Sequence, residues 1–195
     1  MSLSLPNQPA LEGTTGQNLR TLAQRLAAYI PTTLTRKLLQ NEPMMPGQAE
    51  MITAATMFAD MSGFTHVAEA LAVDGARGTE ALSRTLLMTF TALINAIHDA
   101  GGSVSHFHGD AMMIYFPDVD GKAASRALAS AQFMQRLMQT NFVQVEALPT
   151  GKEENGYTLS IKIGVGYGRC LEMLVGSEAN REFVLAGTAV DEAVA

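Results

Sequence analysis

The stretch Phe58-Ala59-Asp60-Met61-Ser62-Gly63-Phe64-Thr65 decides the fold, because the expected secondary structure changes twice within it. The preceding residues 53–57 are apolar or β-branched and predict a buried strand, Gly63 predicts a turn, and the residues after it predict a helix. Asp60 is therefore expected at the end of a strand, just before a helix N-terminus. The free backbone N–H groups of such a terminus suit phosphate oxygens.

A second aspartate lies in a predicted β-hairpin. The stretch His106-Phe107-His108-Gly109-Asp110 leads into the apolar segment 111–116, with Gly109-Asp110 as the turn. Two carboxylates at neighbouring strand ends offer the oxygen ligands that hard divalent cations take. Taken singly, Asp60 is better explained as a helix N-cap and Asp110 as an ordinary turn residue. Together with a turn suited to phosphate, they indicate a nucleoside triphosphate site.

Composition limits the class of protein. The 195 residues are 47% hydrophobic and 16% charged, which fits one globular domain with an appendage. The net charge of −6 argues against nucleic acid as a partner, since phosphate backbones need clustered lysine and arginine. A single cysteine, Cys170, fits a reducing compartment. No signal pattern or sufficiently long apolar segment is present, so we expect a cytoplasmic protein without membrane insertion.

Two regions are expected along the chain. Residues 1–47 predict a flexible leader and a helical lead-in, with helices over 17–30 and 33–39. Residues 48–195 predict an α+β domain, which we expect to be truncated at its C-terminal end. Its expected elements are strand 51–60, helix 64–72, helix 78–99, strand 102–107, strand 111–116, helix 121–140, loop 148–156, strand 157–168 and strand 170–175. This order is the split βαβ pattern of ferredoxin-like sheets.

Three other features favour structural roles. Gly164, Gly166 and Gly168 lie inside an apolar strand with no helix directly after it, so they predict close packing and not a dinucleotide-binding turn. His106 and His108 lie two apart on a strand and should face one side, without a third ligand for zinc. The thiol of Cys170 is expected to be inert.

The two aspartate stretches resemble the two metal-binding motifs of the class III nucleotidyl cyclases. The likeness is greatest to the first half of the soluble, bicarbonate-type adenylyl cyclases. It extends over about residues 51–195 and includes residues 161–169 and 184–191. The resemblance implies an adenylate or guanylate cyclase, a phosphorus–oxygen lyase that converts ATP (or GTP) to the 3′,5′-cyclic nucleotide and pyrophosphate with two Mg²⁺ or Mn²⁺ ions.

The resemblance also implies roles for individual residues. Asp60 and Asp110 would be the catalytic metal ligands, with the backbone carbonyl of Met61 as a further ligand. The implied phosphate-binding residues are Gly63, Phe64, Thr65 and Arg169. A plain strand-to-helix turn with Phe64 as a core anchor remains the alternative at the first three of these positions.

Four family positions carry other residues here. His106 replaces a base-reading lysine, Val184 an aspartate or threonine, Asp191 an asparagine, and Ala195 an arginine. All four belong to the half that faces the metal site in a cyclase dimer. The resemblance therefore implies a metal-donating half, inactive alone, that needs a complementary half in the same or another chain; a homodimer of the fragment is possible. The alternative is a catalytically inactive, cyclase-like domain for nucleotide binding, regulation or dimerisation.

Overall fold

The computed structural model describes residues 30–140, 159–177 and 179–195, with only the backbone at residues 64 and 140. The chain divides into two compact units, residues 1–44 and 45–195. In the first unit, helix α1 spans Thr32–Leu39, one residue longer at its start than predicted. The predicted helix 17–30 (except its last residue) and the predicted loop 148–156 lie outside the described residues.

The described part of the second unit contains five strands and four further helices. The strands are β1 (Ala49–Ser62), β2 (Ser103–His108), β3 (Ala111–Pro117), β4 (Ser160–Gly176) and β5 (Arg181–Ala186). The helices are α2 (Phe64–Ala72), α3 (Gly75–Asp99), α4 (Ala123–Thr140) and α5 (Thr188–Val194). The strands form one antiparallel sheet in the order β2-β3-β1-β4-β5. The predicted α+β class is confirmed.

One face of the sheet carries the hydrophobic core. Alternate residues of β1, namely Ala55, Met57 and Ala59, are buried on this face, as the period of two of a strand requires. Helices α2, α3 and α4 cover it. Their core side chains include Val67, Leu71, Leu93, Ile97, Ala127 and Met134. Since no described helix is both long and apolar enough, none could cross a membrane.

The opposite face of the sheet, called the second face below, is packed against α5. A side chain at Gly164 would overlap the carbonyl oxygen of Ala193, and one at Gly166 would overlap that of Ala189. The Thr56 hydroxyl, on the strand beside Gly166, donates a hydrogen bond of 2.6 Å to the Ala189 carbonyl. The glycine-rich stretch therefore lets a helix approach β4 closely, as its place inside a strand predicts.

The structure corrects the predicted ends of the domain's strands. We expected β4 to break near residue 169, but Arg169 and Cys170 continue the ladder opposite Thr53 and Ile52. None of the residues at this point has a positive φ, so nothing turns the chain. The segment 181–186 was not predicted as a strand, yet it forms β5 along the C-terminal half of β4. The long helix α3 begins at Gly75, earlier than the predicted residue 78.

Strand β5 folds back over the second face. In the ladder Phe183 lies opposite Leu174, but its ring stacks on Tyr115 of β3, with the centroids 5.6 Å apart. Tyr115 pairs with Thr56, which in turn pairs with Gly166. Because Gly166 and Leu174 lie far apart along β4, this stacking requires the outer part of the β1–β4 ribbon to bend. The edge strands β2 and β5 are thereby brought together.

A hydrogen-bonded loop holds α4 beside β4. The Tyr167 hydroxyl donates to Asp118 Oδ2 at 2.6 Å, and the backbone N–H of Ala123 donates to Asp118 Oδ1 at 3.2 Å. These hydrogen bonds favour the charged carboxylate, so they hold the pKa of Asp118 below its usual value. The loop between β3 and α4 is thus fixed at the end of the sheet opposite to Asp60 and Asp110.

Candidate functional site

Asp60 lies on the second face, near the end of β1. Its neighbours Ala59 and Met61 are 1% and 4% exposed and point into the core, whereas Asp60 is half-buried and points the other way. Helix α2 begins after Gly63, whose φ of 94° is left-handed, and no side chain caps that helix. Asp60 is therefore not a helix N-cap, and the structural alternative for this residue is excluded.

Asp110 lies in the turn between β2 and β3, next to Gly109 with its φ of 67°. Strand β3 pairs directly with β1, and the last paired residues are Ala59 and Met112. Asp60 follows the first of these and Asp110 precedes the second across Ala111. Paired strands lie roughly 5 Å apart. The two half-buried carboxylates therefore start from adjacent strands at the same end of the sheet, which is called the carboxylate edge below.

Neither carboxylate has a side-chain partner within bonding distance among the described residues. No described side chain forms a hydrogen bond or an ion pair with Asp60 or Asp110. No cluster of three or more histidine, cysteine, aspartate or glutamate side chains occurs in the described ranges either. A cation at this edge would therefore have two carboxylates, with backbone, water or ligand oxygens completing its shell. This oxygen donor set fits Mg²⁺ or Mn²⁺.

The turn after Asp60 offers backbone donors. Gly63 accepts the first bond of α2, from the N–H of Val67 at 3.2 Å, and the preceding N–H groups of a first helical turn have no helical partner. The Thr65 side chain is exposed. The Phe64 side chain lies outside the described part of the chain, so its predicted role as a core anchor or phosphate contact stays a prediction.

The register of β1 and β4 places a cationic side chain opposite Asp60, which the sequence analysis did not predict. Lys162 lies directly opposite Asp60 and is exposed on the same face of the sheet. Arg169, the predicted phosphate-binding residue, lies opposite Thr53 instead. At roughly 3.3 Å per strand residue, the levels of Thr53 and Asp60 are about 23 Å apart along β1. The phosphate contact predicted for Arg169 stays a prediction.

The two histidines share one face, as predicted. The rings of His106 and His108 stack with centroids 6.1 Å apart, and the His108 ring lies 6.3 Å from that of Phe58. His106 Nε2 lies 3.6 Å from Glu182 Oε1 of β5. The side chain that the resemblance aligns with a base-reading lysine thus lies beside a carboxylate of its own chain.

The other three altered family positions lie on β5 and α5. Val184 pairs with Met173 and is half-buried, Asp191 is exposed in the first turn of α5, and Ala195 is exposed at its C-cap. Cys170 is buried in β4, and burial raises the pKa of its thiol to about 11. Such a thiol stays protonated near neutral pH, in agreement with the predicted inert role.

The comparisons with known proteins agree with this fold. No protein-family profile matches the chain. The rabbit (Oryctolagus cuniculus) protein "Adenylate cyclase type 10" is 26% identical over 173 residues, which is 86% of this chain but only 10% of the relative. The chain therefore spans about a tenth of that relative's length.

Two solved structures illustrate the likeness. A bacterial light-regulated adenylyl cyclase has a TM-score of 0.69 at 21% identity, covering 96% of this chain and 52% of the other. A class III adenylyl cyclase-like ATP-binding protein from Pseudomonas aeruginosa has a TM-score of 0.57 at 20% identity, covering 75% and 31%. The fold is that of the class III adenylyl and guanylyl cyclase catalytic domains, and the predicted resemblance is confirmed.

Proposed function

We propose that this chain is the metal-donating half of a class III nucleotidyl cyclase, which converts ATP to 3′,5′-cyclic AMP and pyrophosphate together with a complementary half. The observation that carries the proposal is the pair of carboxylates, Asp60 and Asp110, at the same end of adjacent strands and without an ion pair among the described residues. Two carboxylates that start from adjacent strands offer oxygen ligands to one divalent ion between them. The site is thus suited to divalent ions.

In the proposed site, Asp60, Asp110 and the Met61 carbonyl would hold two Mg²⁺ or Mn²⁺ ions. Such ions neutralise charge on the attacked and leaving oxygens and lower the pKa of an attacking hydroxyl. The chain's own part is to orient the triphosphate. The backbone N–H groups from Gly63 onward would hold terminal phosphate oxygens, and the ammonium of Lys162 would offset the remaining negative charge.

Assignment as a half-enzyme follows from the altered family positions. His106 and Val184 replace the expected base-reading pair, and Asp191 and Ala195 replace the expected transition-state pair. Every altered position belongs to the facing half of a cyclase dimer, while the aspartates of the metal half are kept. A complementary half would supply the missing groups.

The test is complementation. The full chain alone is expected to turn over Mg-ATP or Mn-ATP at a barely measurable rate. Adding a facing half from a characterised class III cyclase, with its own metal aspartates replaced by alanine, should restore cyclic AMP formation. Robust turnover by the chain alone, or none with any facing half, would contradict the proposed division of labour.

A nucleotide-binding module without turnover is the second candidate. The loss of all four facing-half positions favours it, and one structural neighbour is described as an ATP-binding protein. Calorimetry with a non-hydrolysable ATP analogue and Mn²⁺ separates the candidates. Metal-dependent binding without turnover beside any facing half would favour the module, and absence of binding even beside a facing half would exclude both.

Replacing Lys162 by methionine is expected to weaken binding of the Mn²⁺–nucleotide analogue by about tenfold, the value of one charge-assisted contact. Lys162→Arg should retain binding, since the charge remains. Arg169→Met is the matched control and should have no effect, because the register places Arg169 far from Asp60. If both methionine variants lost the same affinity for the analogue, the position opposite Asp60 would not determine which cation binds the phosphates.

A further inference from the structure

The hairpin tip, residues 107–111, extends beyond the ladder between β1 and β3. That ladder ends at Met112, so its hydrogen bonds do not reach the tip. The β2–β3 ladder continues to the pair His108 and Ala111, which encloses the two-residue turn that contains Asp110. Because the turn is so short, it lies wherever the two strand ends lie. Contacts made by these strand ends therefore bear directly on the position of the Asp110 carboxylate.

Two ring contacts hold the hairpin tip, one on each face of the sheet. The Phe107 ring meets Phe90 of α3 edge-on, with the centroids 5.9 Å apart and the planes at 72°. The His108 ring lies 6.3 Å from the ring of Phe58 on the second face. Consecutive residues of a strand point to opposite faces, so the tip is held between α3 on one side and β1 on the other.

The contact between Phe107 and Phe90 is the one that lies away from the proposed ligand. Asp60 and His108 lie on the second face, whereas Phe107 lies on the face that the helices cover. The edge-on arrangement at this separation is a favoured aromatic geometry. Phe107 is 54% exposed, so burial alone does little to hold it. A substitution at Phe107 therefore changes the support of the tip and leaves the carboxylate face unaltered.

Helix α3 is a firm support for the Phe107 ring. Leu93 and Ile97, about one and two turns after Phe90, are fully buried, and Phe90 packs against the core that they belong to. Helix α3 also packs against α2, which begins directly after Gly63. The ring contact thus joins the Asp110 turn to the same layer of helices that begins at the proposed phosphate-binding turn.

We propose that Phe107 is a positioning residue for Asp110: through Phe90 it holds the hairpin tip against α3 and so keeps the Asp110 carboxylate at the carboxylate edge. The proposal rests on the proposed metal site, because the position of Asp110 matters only if it binds one ligand together with Asp60. Phe107 touches no reacting group and acts through the placement of the turn.

The experiment is a double-mutant cycle of Phe107→Leu and Phe90→Leu in the full chain. Each variant removes the ring contact and keeps an apolar side chain, so each should weaken binding of Mn²⁺ with a non-hydrolysable ATP analogue by about two- to tenfold, the value of an aromatic pair. The double variant should lose no more than the larger of the two single losses, since both residues act through one contact. Phe107→Tyr keeps the ring and should retain the affinity. If Phe90→Leu does not fold, Phe90→Met takes its place.

Amide hydrogen exchange measures the placement of the tip without a ligand. Loss of the ring contact in Phe107→Leu should speed exchange in residues 107–111, because the tip then moves more freely. Phe107→Tyr should exchange as the unmodified chain does. A residue with a merely general effect on stability would not act on this one segment and be rescued by a second aromatic ring.

Phe133→Leu is the matched control. Phe133 of α4 is 50% exposed, close to the 54% of Phe107, and no described aromatic ring contacts it. The control should change neither the affinity nor the exchange in the tip. Unchanged affinity or exchange in Phe107→Leu, losses that add in the double variant, or an equal loss in Phe133→Leu overturns the proposal. If the unmodified chain binds no Mn²⁺–nucleotide even beside a facing half, the proposed function fails, while the exchange measurement still decides whether Phe107 holds the tip.

Discussion

Replacing Asp60 by asparagine is expected to reduce binding of Mn²⁺ with a non-hydrolysable ATP analogue by at least about 100-fold. The substitution keeps the size of the side chain and removes its charge. Loss of a group that merely supports a metal ligand costs about 10- to 100-fold in affinity, and loss of a ligand itself should cost more. Turnover restored by a facing half should fall by about a thousandfold, since metal ions contribute several kcal/mol of charge stabilisation.

The melting temperature gives an independent measurement of the same change. In the unmodified chain Mn²⁺ with the analogue should raise the melting temperature, because a ligand that binds only the folded state stabilises it. In Asp60→Asn this increase should vanish.

Asp74→Asn is the matched control for Asp60. Asp74 is also half-buried and precedes a helix, and its side chain makes no capping hydrogen bond. Its replacement should leave the Mn²⁺–nucleotide affinity unchanged. The metal role of Asp60 would be contradicted if both variants lost affinity equally, or if Asp60→Asn still showed the metal-dependent increase in melting temperature.

The local part of the site could be predicted from the sequence. The change from apolar strand to Gly63 turn to helix, and the hairpin turn at Gly109-Asp110, depend on residues that are neighbours in the chain. Their conformations are set by hydrogen bonds and φ preferences over a few residues. For the same reason Asp60 lies near the end of a strand and Asp110 lies in a hairpin turn, as expected.

The cation beside Asp60 could not be predicted, because it depends on the register between distant strands. The side chains of segment 161–169 alternate between the two faces of the sheet whichever residue of β1 they pair with. The local pattern therefore does not show which of them lies opposite Asp60. Only the paired β1–β4 ladder shows that Lys162 lies opposite Asp60 and Arg169 opposite Thr53. The resemblance suggested Arg169 from a likeness of motifs, which carries no register.

The position of β5 over the hairpin was missed for a related reason. Its six residues contain only a short apolar run, which is too little to distinguish a strand from a loop. Its return over the second face requires the bend of the β1–β4 ribbon and the space that small residues leave for α5. Glu182 and Phe183 therefore become interpretable only when β2 and β5 are seen to meet.

Gly166→Ala is expected to destabilise the folded chain by about 3 kcal/mol, the upper range for adding a carbon to a packed interior. An added Cβ would overlap the carbonyl oxygen of Ala189, which is backbone and cannot rotate away. Helix α5 would have to move outward, and the 2.6 Å hydrogen bond from Thr56 to that carbonyl would be lost. Chemical denaturation followed by circular dichroism measures the change in free energy of unfolding.

Gly168→Ala separates close packing from the general effect of removing a strand glycine. A Cβ at Gly168 would lie 3.7 Å from the Ala189 Cβ, an ordinary contact, and Gly168 does not have a positive φ. Alanine there also lowers the entropy of the unfolded chain, so stability should stay the same or rise by up to about 1 kcal/mol. If Gly166→Ala proved as harmless as Gly168→Ala, α5 would not lie against β4 as closely as these glycines require. The altered positions Asp191 and Ala195, which α5 carries, would then have no fixed place relative to the carboxylate edge.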